Sequence, residues 1–159
     1  MLGKIKSIEE VVDFEIKPVA KSEGSGGKLG LSQMITGFYG YSCMDGYKVK
    51  TDKHSFYILI DNGQSCCEEW GYISCAEDEL DLKYFLGSQL IEVNLTDVAL
   101  NQTIVDNSGY YEEDGGIQFI DFKTNIGTFQ LAVYNAHNGY YGHGIIVAKD
   151  EEILLNDTI

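Results

Sequence analysis

The segment from residue 117 to residue 134 constrains the fold most strongly, because it has the pattern of a β-hairpin. Apolar residues recur on both arms, at Ile117, Phe119, Ile120 and Phe122 before the centre and at Phe129, Leu131 and Val133 after it. Between the arms, residues 124–127 read T-N-I-G, which is typical of a turn. Two arms of this kind joined by a short turn predict an antiparallel pair of strands.

Other segments extend this pattern. Residues 47–50 and 56–60 are rich in β-formers and enclose the turn-like residues 51–54, which predicts a second hairpin. Further strands are predicted at residues 71–75, 90–100 and 145–148. Ser7 and Glu10 have the spacing of a capping box and begin a short helix or strand, and residues 80–86 resemble a short helix that ends at Gly87. We therefore expect an α+β fold, a mainly antiparallel β-sheet with one or two short helices.

The length of 159 residues suits a single domain, 1–159, with a substantial core. We divide it into an N-terminal segment, 1–44, which contains a flexible Gly/Ser loop at 22–27, a central part, 45–149, and an acidic tail, 150–159. There is no apolar run long enough to span a membrane and no secretory signal pattern, so we expect a cytoplasmic protein. In that reducing compartment we expect the four cysteines to be thiols or metal ligands rather than disulfides.

The charge is strongly asymmetric. The chain carries 11 lysines, no arginine and 25 acidic residues, a formal net charge of −14. Residues 1–53 hold eight lysines against seven acids, a net of +1, whereas residues 54–159 hold three lysines against 18 acids, a net of −15. Such a field repels nucleic acid and membrane surfaces and attracts basic partners.

Two segments concentrate residues that can bind metal. Residues 61–70 read D-N-G-Q-S-C-C-E-E-W and contain Cys66 and Cys67, and residues 134–143 contain His137 and His143 among glycines. If the sheet brings these segments together, two thiolates and two imidazoles could close a tetrahedral, structural zinc site with no open position for water. Cys43 and Cys75 lack such neighbours, and we interpret them as small buried hydrophobes.

The adjacent position of the two cysteines limits this zinc hypothesis. Adjacent residues of a strand point to opposite faces, so both thiols can bind one ion only if the chain bends, for which Asn62 and Gly63 are suitable. A site with three protein ligands, completed by Glu68, Asp61 or water, is an alternative. Sequence neighbours also rarely form a disulfide with each other, because their geometry does not suit the S–S bond.

An enzyme is the alternative from another functional class. Cys67 followed later by His143 has the outline of a papain-like cysteine hydrolase, and a metal site with an open position would suit a metal-dependent hydrolase. Two features disfavour the cysteine hydrolase. The carboxylates of Glu68 and Glu69 would raise the pKa of the Cys67 thiol, and no Asn or Asp follows His143 at a suitable distance. A protein that sequesters a signalling nucleotide is a third possibility, which the net charge and the missing arginines disfavour.

At the two segments D-N-G-Q-S-C-C-E-E-W-G-Y (61–72) and Y-N-A-H-N-G-Y-Y-G-H (134–143) the chain resembles a family of small proteins of phages and prophages of low-GC bacteria. The resemblance covers roughly residues 45–149. It implies a small acidic phage product, a class that includes inhibitors of bacterial defence such as anti-CRISPR proteins, some with a structural metal. We therefore expect a type II anti-CRISPR protein that binds Cas9 in the bacterial cytoplasm, without chemistry, and blocks nucleic-acid loading.

This hypothesis assigns the contacts with a basic partner to exposed acids and tyrosines. Tyrosine is favoured at interfaces because it offers a large contact area with few rotatable bonds. The candidate tyrosines are Tyr110, Tyr111, Tyr140 and Tyr141. The candidate acids are Glu68, Glu69, Glu77, Asp78, Glu79, Glu112, Glu113 and Asp114.

Overall fold

A computed structural model describes residues 1–15 and 43–159 of the chain. The predicted Gly/Ser loop at 22–27 lies outside the described residues. The described strands are β1 (Gly3–Glu15), β2 (Cys43–Thr51), β3 (Ser55–Asp61), β4 (Glu69–Ala76), β5 (Gln89–Thr96), β6 (Asp114–Thr124), β7 (Gly127–His137), β8 (Gly144–Lys149) and β9 (Glu152–Thr158). Between them lie two 3₁₀-helices, η1 (Glu77–Glu79) and η2 (Leu82–Phe85), and one α-helix, α1 (Gln102–Asp106).

The nine strands form one open antiparallel sheet in the order β4-β7-β6-β5-β1-β2-β3-β8-β9. β1 stands at its centre and is shared by two halves. Its first residues pair with β5, as Gly3 with Leu90, and the rest of the strand pairs with β2 from Ile5 to Glu15. The N-terminal residues are therefore an integral part of the sheet.

The core lies between the two halves, which face each other. Phe56 of β3 meets Phe122 of β6 with ring centroids 5.8 Å apart, and Phe122 stacks on Phe129 of β7 at 4.9 Å. All three rings are fully buried, and burying one such side chain contributes about 2 kcal/mol or more to the free energy of folding. This aromatic cluster joins strands that are far apart in the order of the sheet.

The structure confirms the mainly antiparallel sheet, whereas α+β describes it only loosely. Both predicted hairpins are present, as β2–β3 and β6–β7. The helix predicted at 80–86 is a 3₁₀ turn, preceded by Asp78 and Glu79 with positive φ and by an extended Leu80. The capping-box residues 7–10 lie inside β1, because pairing with β2 outweighs the local helix signal. No helix among residues 1–15 and 43–159 has the length and apolar character to cross a membrane.

Candidate functional site

The two motif segments meet at one end of the sheet. β3 pairs with β8, so the end of β3 at Asp61 lies beside the start of β8, directly after His143. The ring nitrogen Nδ1 of His143 lies 2.6 Å from the carbonyl oxygen of Asp61. Its other nitrogen, Nε2, lies 3.1 Å from Oε1 of Glu68, in the loop between β3 and β4. The loops at 62–68 and 138–143 therefore share one site.

Glu68 is the buried anion of this site. Its side chain is fully shielded from solvent, and its carboxylate accepts hydrogen bonds from the backbone N–H groups of Ser65 at 2.7 Å and Cys66 at 2.8 Å. Burial by itself would raise the pKa of Glu68, but the hydrogen bonds from Ser65, His143 and Cys66 outweigh it and lower this pKa to about 2. The carboxylate is therefore ionised at neutral pH.

Both ring nitrogens of His143 face hydrogen-bond acceptors. Nδ1 faces the carbonyl oxygen of Asp61 and Nε2 faces the ionised carboxylate of Glu68. We call the two residues the Glu68–His143 pair. Trp70 stacks on this imidazole with ring centroids 5.5 Å apart and an angle of 24° between the planes. The pair is therefore covered on one side by an aromatic ring.

The side chain of Gln64 links several residues of the loop 62–68 by hydrogen bonds. Its amide nitrogen donates to the carbonyl oxygens of Cys66 at 3.2 Å and Glu68 at 3.0 Å. Its amide oxygen accepts from Nε1 of Trp70 at 2.7 Å. Because these bonds link both ends of the loop to the first residues of β4, its backbone has a defined shape.

Cys66 and Cys67 are both exposed and reduced, and we call them the thiol pair. They lie in the loop rather than in a strand, so their side chains are not directed to opposite faces, and their sulfur atoms are 3.2 Å apart. A hydrogen bond with Cys66 raises the pKa of the Cys67 thiol, and a hydrogen bond with Cys66 likewise raises the pKa of the Tyr141 hydroxyl. Cys43 and Cys75 are half-buried, in β2 and β4.

The four predicted zinc ligands are only partly brought together. The thiol pair is compact, but both nitrogens of His143 already have partners, and Nδ1 of His137 accepts from the backbone N–H of Gly139 at 2.9 Å. Within the described part of the chain, no group of three or more His, Cys, Asp or Glu side chains has a metal-binding arrangement. A zinc ion held by Cys66, Cys67, His137 and His143 would require His143 to give up its hydrogen bond with either Asp61 or Glu68.

The hydrogen bonds of His143 also disfavour the cysteine-hydrolase alternative. A cysteine nucleophile needs a histidine nitrogen that is free to take its proton. His143 has no such nitrogen in this arrangement, since Asp61 and Glu68 occupy both. The only described side-chain partner of Cys67 among the hydrogen bonds is Cys66.

The candidate acids fall into three places. Glu68 is buried, so its carboxylate lies beneath the surface. Glu77, Asp78 and Glu79 are exposed on η1, which follows β4, whereas Glu69 begins that strand about 23 Å away. The Glu77 carboxylate also accepts from the backbone N–H of Thr128 at 2.9 Å.

The remaining acids gather around Tyr111. Burial raises the pKa of Tyr111, and so do the charges of Glu113 and Glu69. Glu69 and Gly115 both pair with Ala136 of β7, so the start of β4 and the start of β6 lie at the same end of the sheet. We define the acidic patch as Glu69, Glu112, Glu113 and Asp114 together with Tyr111, all of them exposed. A groove of about 480 Å³ opens beside it, lined in part by Asp97, Asp106, Tyr110, Tyr111 and Glu112.

Comparison with known proteins places this site inside a family domain. The domain of unknown function DUF7448 matches residues 2–147. The chain belongs to this family. No curated protein and no solved structure is significantly similar to the chain. The matched range runs from the start of β1 into β8, so the Glu68–His143 pair, the thiol pair and the acidic patch all lie within the DUF7448 domain.

Sequence reasoning missed the roles of Gln64, Ser65 and the Asp61 carbonyl group. The sequence did contain a signal for the bond between Ser65 and Glu68. These residues have the S-x-x-E spacing, in which a carboxylate accepts from the backbone N–H three residues earlier. The stacking of Trp70 on His143 had no local signal. It depends on the pairing of β3 with β8 and of β4 with β7.

Proposed function

We propose that the protein is a binding protein without catalytic activity, which docks its acidic patch on a basic, nucleic-acid-handling protein of bacterial defence. Cas9 is the proposed partner, and competition with nucleic-acid loading is the proposed effect. One observation carries the proposal. Three acids line a single groove that also presents tyrosine rings: Asp97 after β5, Asp106 of α1 and Glu112 before β6.

The composition of the groove suits a lysine or arginine side chain. Val105, Ile117 and Phe119 supply apolar surface, and Asp97, Asp106 and Glu112 supply negative charge. A long basic side chain can lay its methylene groups on the apolar wall and direct its cationic end to the carboxylates. Arginine can in addition stack on the exposed ring of Tyr111.

The charge distribution favours one orientation of approach. Lys4, Lys6, Lys48, Lys50 and Lys53 lie on β1, on β2 and in the turn after β2, whereas the acidic patch lies on β4 and before β6 in the other half of the sheet. Six acids on the same two strands and in the same turn offset these lysines, namely Glu9, Glu10, Asp13, Glu15, Asp45 and Asp52. The acidic patch includes no lysine, so a basic surface is attracted more strongly by the patch than by β1 and β2. Such complementarity raises the association rate and makes it sensitive to salt.

The Glu68–His143 pair supports the patch rather than contacting the partner. Glu68 is buried, and its hydrogen bonds hold the loop that leads directly into Glu69. The predicted zinc site stays a prediction, and the proposed binding does not depend on it.

A direct test is binding to purified Cas9 at physiological salt, with and without guide RNA. We expect binding to Cas9 without guide, and weaker binding once the guide is loaded. The double charge reversal E112K/E113K should weaken binding by tenfold or more. The matched control is E151K/E152K, which reverses two adjacent exposed acids, one in the turn after β8 and one at the first residue of β9, at the other end of β8 from His143.

Two results would contradict the proposal. Absence of binding at physiological salt would exclude Cas9 as the partner. Equal effects of the two double reversals would show that only overall charge matters and that the acidic patch is not the contact surface. Circular dichroism of both variants establishes that they are folded.

A further inference from the structure

We propose that Cys66 and Cys67 form a reversible dithiol–disulfide redox site, which is oxidised by low-molecular-weight disulfides. Both thiols are exposed, and their sulfur atoms are 3.2 Å apart in the reduced protein. A disulfide bond is about 2.05 Å long, so the sulfurs need to approach by about 1.2 Å. Rotation of two exposed side chains can provide much of this movement.

The loop holds the thiols in this arrangement. The backbone N–H of Cys66 donates to the Glu68 carboxylate, and its carbonyl oxygen accepts from the Gln64 amide. Cys67 lies between these anchored residues, since Glu68 is fixed by His143. The two sulfurs therefore stay adjacent without a metal or a partner, and each is the nearest reaction partner of the other.

The reaction balances with a disulfide as oxidant. The thiolate of one cysteine attacks a sulfur of the small disulfide, whose S–S bond breaks and releases one thiol. The second cysteine, as its thiolate, then attacks the mixed disulfide at the protein sulfur and releases the second thiol. The protein loses two protons and two electrons, which together are two hydrogen atoms, and the oxidant takes them up and becomes two thiols.

The geometry of neighbouring residues makes the product easy to reduce. Cα atoms of adjacent residues are about 3.8 Å apart across a trans peptide bond. This distance is shorter than the usual range of about 4.4–6.8 Å in disulfides, and such deviations make the bond more reducible. Strained, exposed disulfides are the labile and regulatory ones. The site should therefore be a dithiol under reducing conditions and a disulfide only under oxidising ones.

Trp70 provides a spectroscopic signal for this reaction. It is the only tryptophan of the chain, its Nε1 donates to Gln64 and its ring stacks on His143. A shift of Cys66 alters its bonds with Gln64 and Glu68, and both of these residues are linked to the surroundings of Trp70.

The test treats the full-length native protein with excess oxidised glutathione while the released thiol is removed. We expect the intact mass to fall by two hydrogen atoms with no glutathione retained, and the Trp70 fluorescence to change and return with dithiothreitol. Cys66→Ser and Cys67→Ser should each retain one glutathione and show no mass loss. The variant C43S/C75S should behave as wild type, because neither residue belongs to the thiol pair.

Three outcomes would overturn the proposal. The first is glutathione that stays on the wild-type protein as a stable mixed disulfide. The second is the formation of covalent dimers in place of the internal bond. Native protein that fails to react, while unfolded protein reacts, would show that the thiols are not accessible to the oxidant.

Discussion

Glu68 illustrates how a single carboxylate can organise two loops. It accepts from two backbone N–H groups and from the imidazole of His143 while shielded from solvent. Removing a buried, ionised acceptor leaves its donors without a partner, which is strongly destabilising. We expect Glu68→Gln to lower the free energy of unfolding by about 3 kcal/mol in urea denaturation at pH 7. Glu69→Gln is the matched control, since Glu69 is exposed, and a loss of similar size there would contradict the assignment.

The lowered pKa of Glu68 gives this effect a defined pH dependence. The folded state holds this pKa at about 2, below the ordinary value of 4.5, so the unfolded state takes up the proton first as the pH falls. The stability contributed by the carboxylate is therefore complete above about pH 5 and is lost between about pH 4.5 and pH 2. The difference between wild type and Glu68→Gln should shrink over that interval, as measured by urea midpoints at each pH. A constant difference down to pH 2 would show that Glu68 is not ionised in the folded protein.

His143 decides between the hydrogen-bonded site and the predicted zinc site. The observed bonds join the two loops without metal. A thermal midpoint of the reduced protein that does not change on addition of a chelator would support the hydrogen-bonded site. Metal content by mass spectrometry is the second measurement. About one zinc per chain, lost in both Cys66→Ala and His143→Ala together with thermal stability, would instead support the zinc site.

At the scale of elements, Gly46 fixes the approach of β2 to β3. Its φ is +150°, and a Cβ atom added there would lie 1.9 Å from the carbonyl oxygen of Ile58. That oxygen belongs to the backbone, so the contact cannot be relieved by a side-chain rotation. We expect Gly46→Ala to lower the free energy of unfolding by about 3 kcal/mol, through overpacking and backbone strain.

Gly109 offers a matched control for this prediction. Its φ is +94°, but nothing lies within 4 Å of an added Cβ atom. Gly109→Ala should therefore cost only the backbone term, about 1 kcal/mol. Both variants can be compared by urea denaturation followed by circular dichroism. Equal losses would mean that the contact with Ile58 is relieved by movement of the strands.

At the scale of the whole molecule, the aromatic cluster couples the two halves of the sheet. Phe122 of β6 contacts Phe129 in its own half and Phe56 in the other. We expect Phe122→Ala to lower the free energy of unfolding by about 4 kcal/mol. Because the cluster is shared, Trp70 fluorescence and far-ultraviolet circular dichroism should show one coincident transition in both wild type and variant. Separate transitions would mean that the halves unfold independently.

Local sequence patterns predicted many of the strands and two hairpins but not the order of the strands in the sheet. The hairpins β2–β3 and β6–β7 follow from alternating β-formers around short turns, which are interactions between near neighbours. The five residues of α1 escaped prediction because so short a helix carries no periodic pattern. The capping-box residues of β1 show the reverse case, in which long-range strand pairing outweighs a local signal.

The sequence by itself determined that the protein is rich in antiparallel strands, that its acidic charge lies after residue 53, and which two segments concentrate the unusual residues. Only the tertiary structure decided that β1 stands in the centre of the sheet, that Glu68 is buried against His143, and that β4 and β6 flank β7 with Glu69 and Gly115 both paired to Ala136. The physical reason is the sequence separation over which each kind of interaction acts. Turn and strand preferences act between neighbours in the chain, whereas burial and ion pairing depend on the long-range strand order that local patterns do not contain.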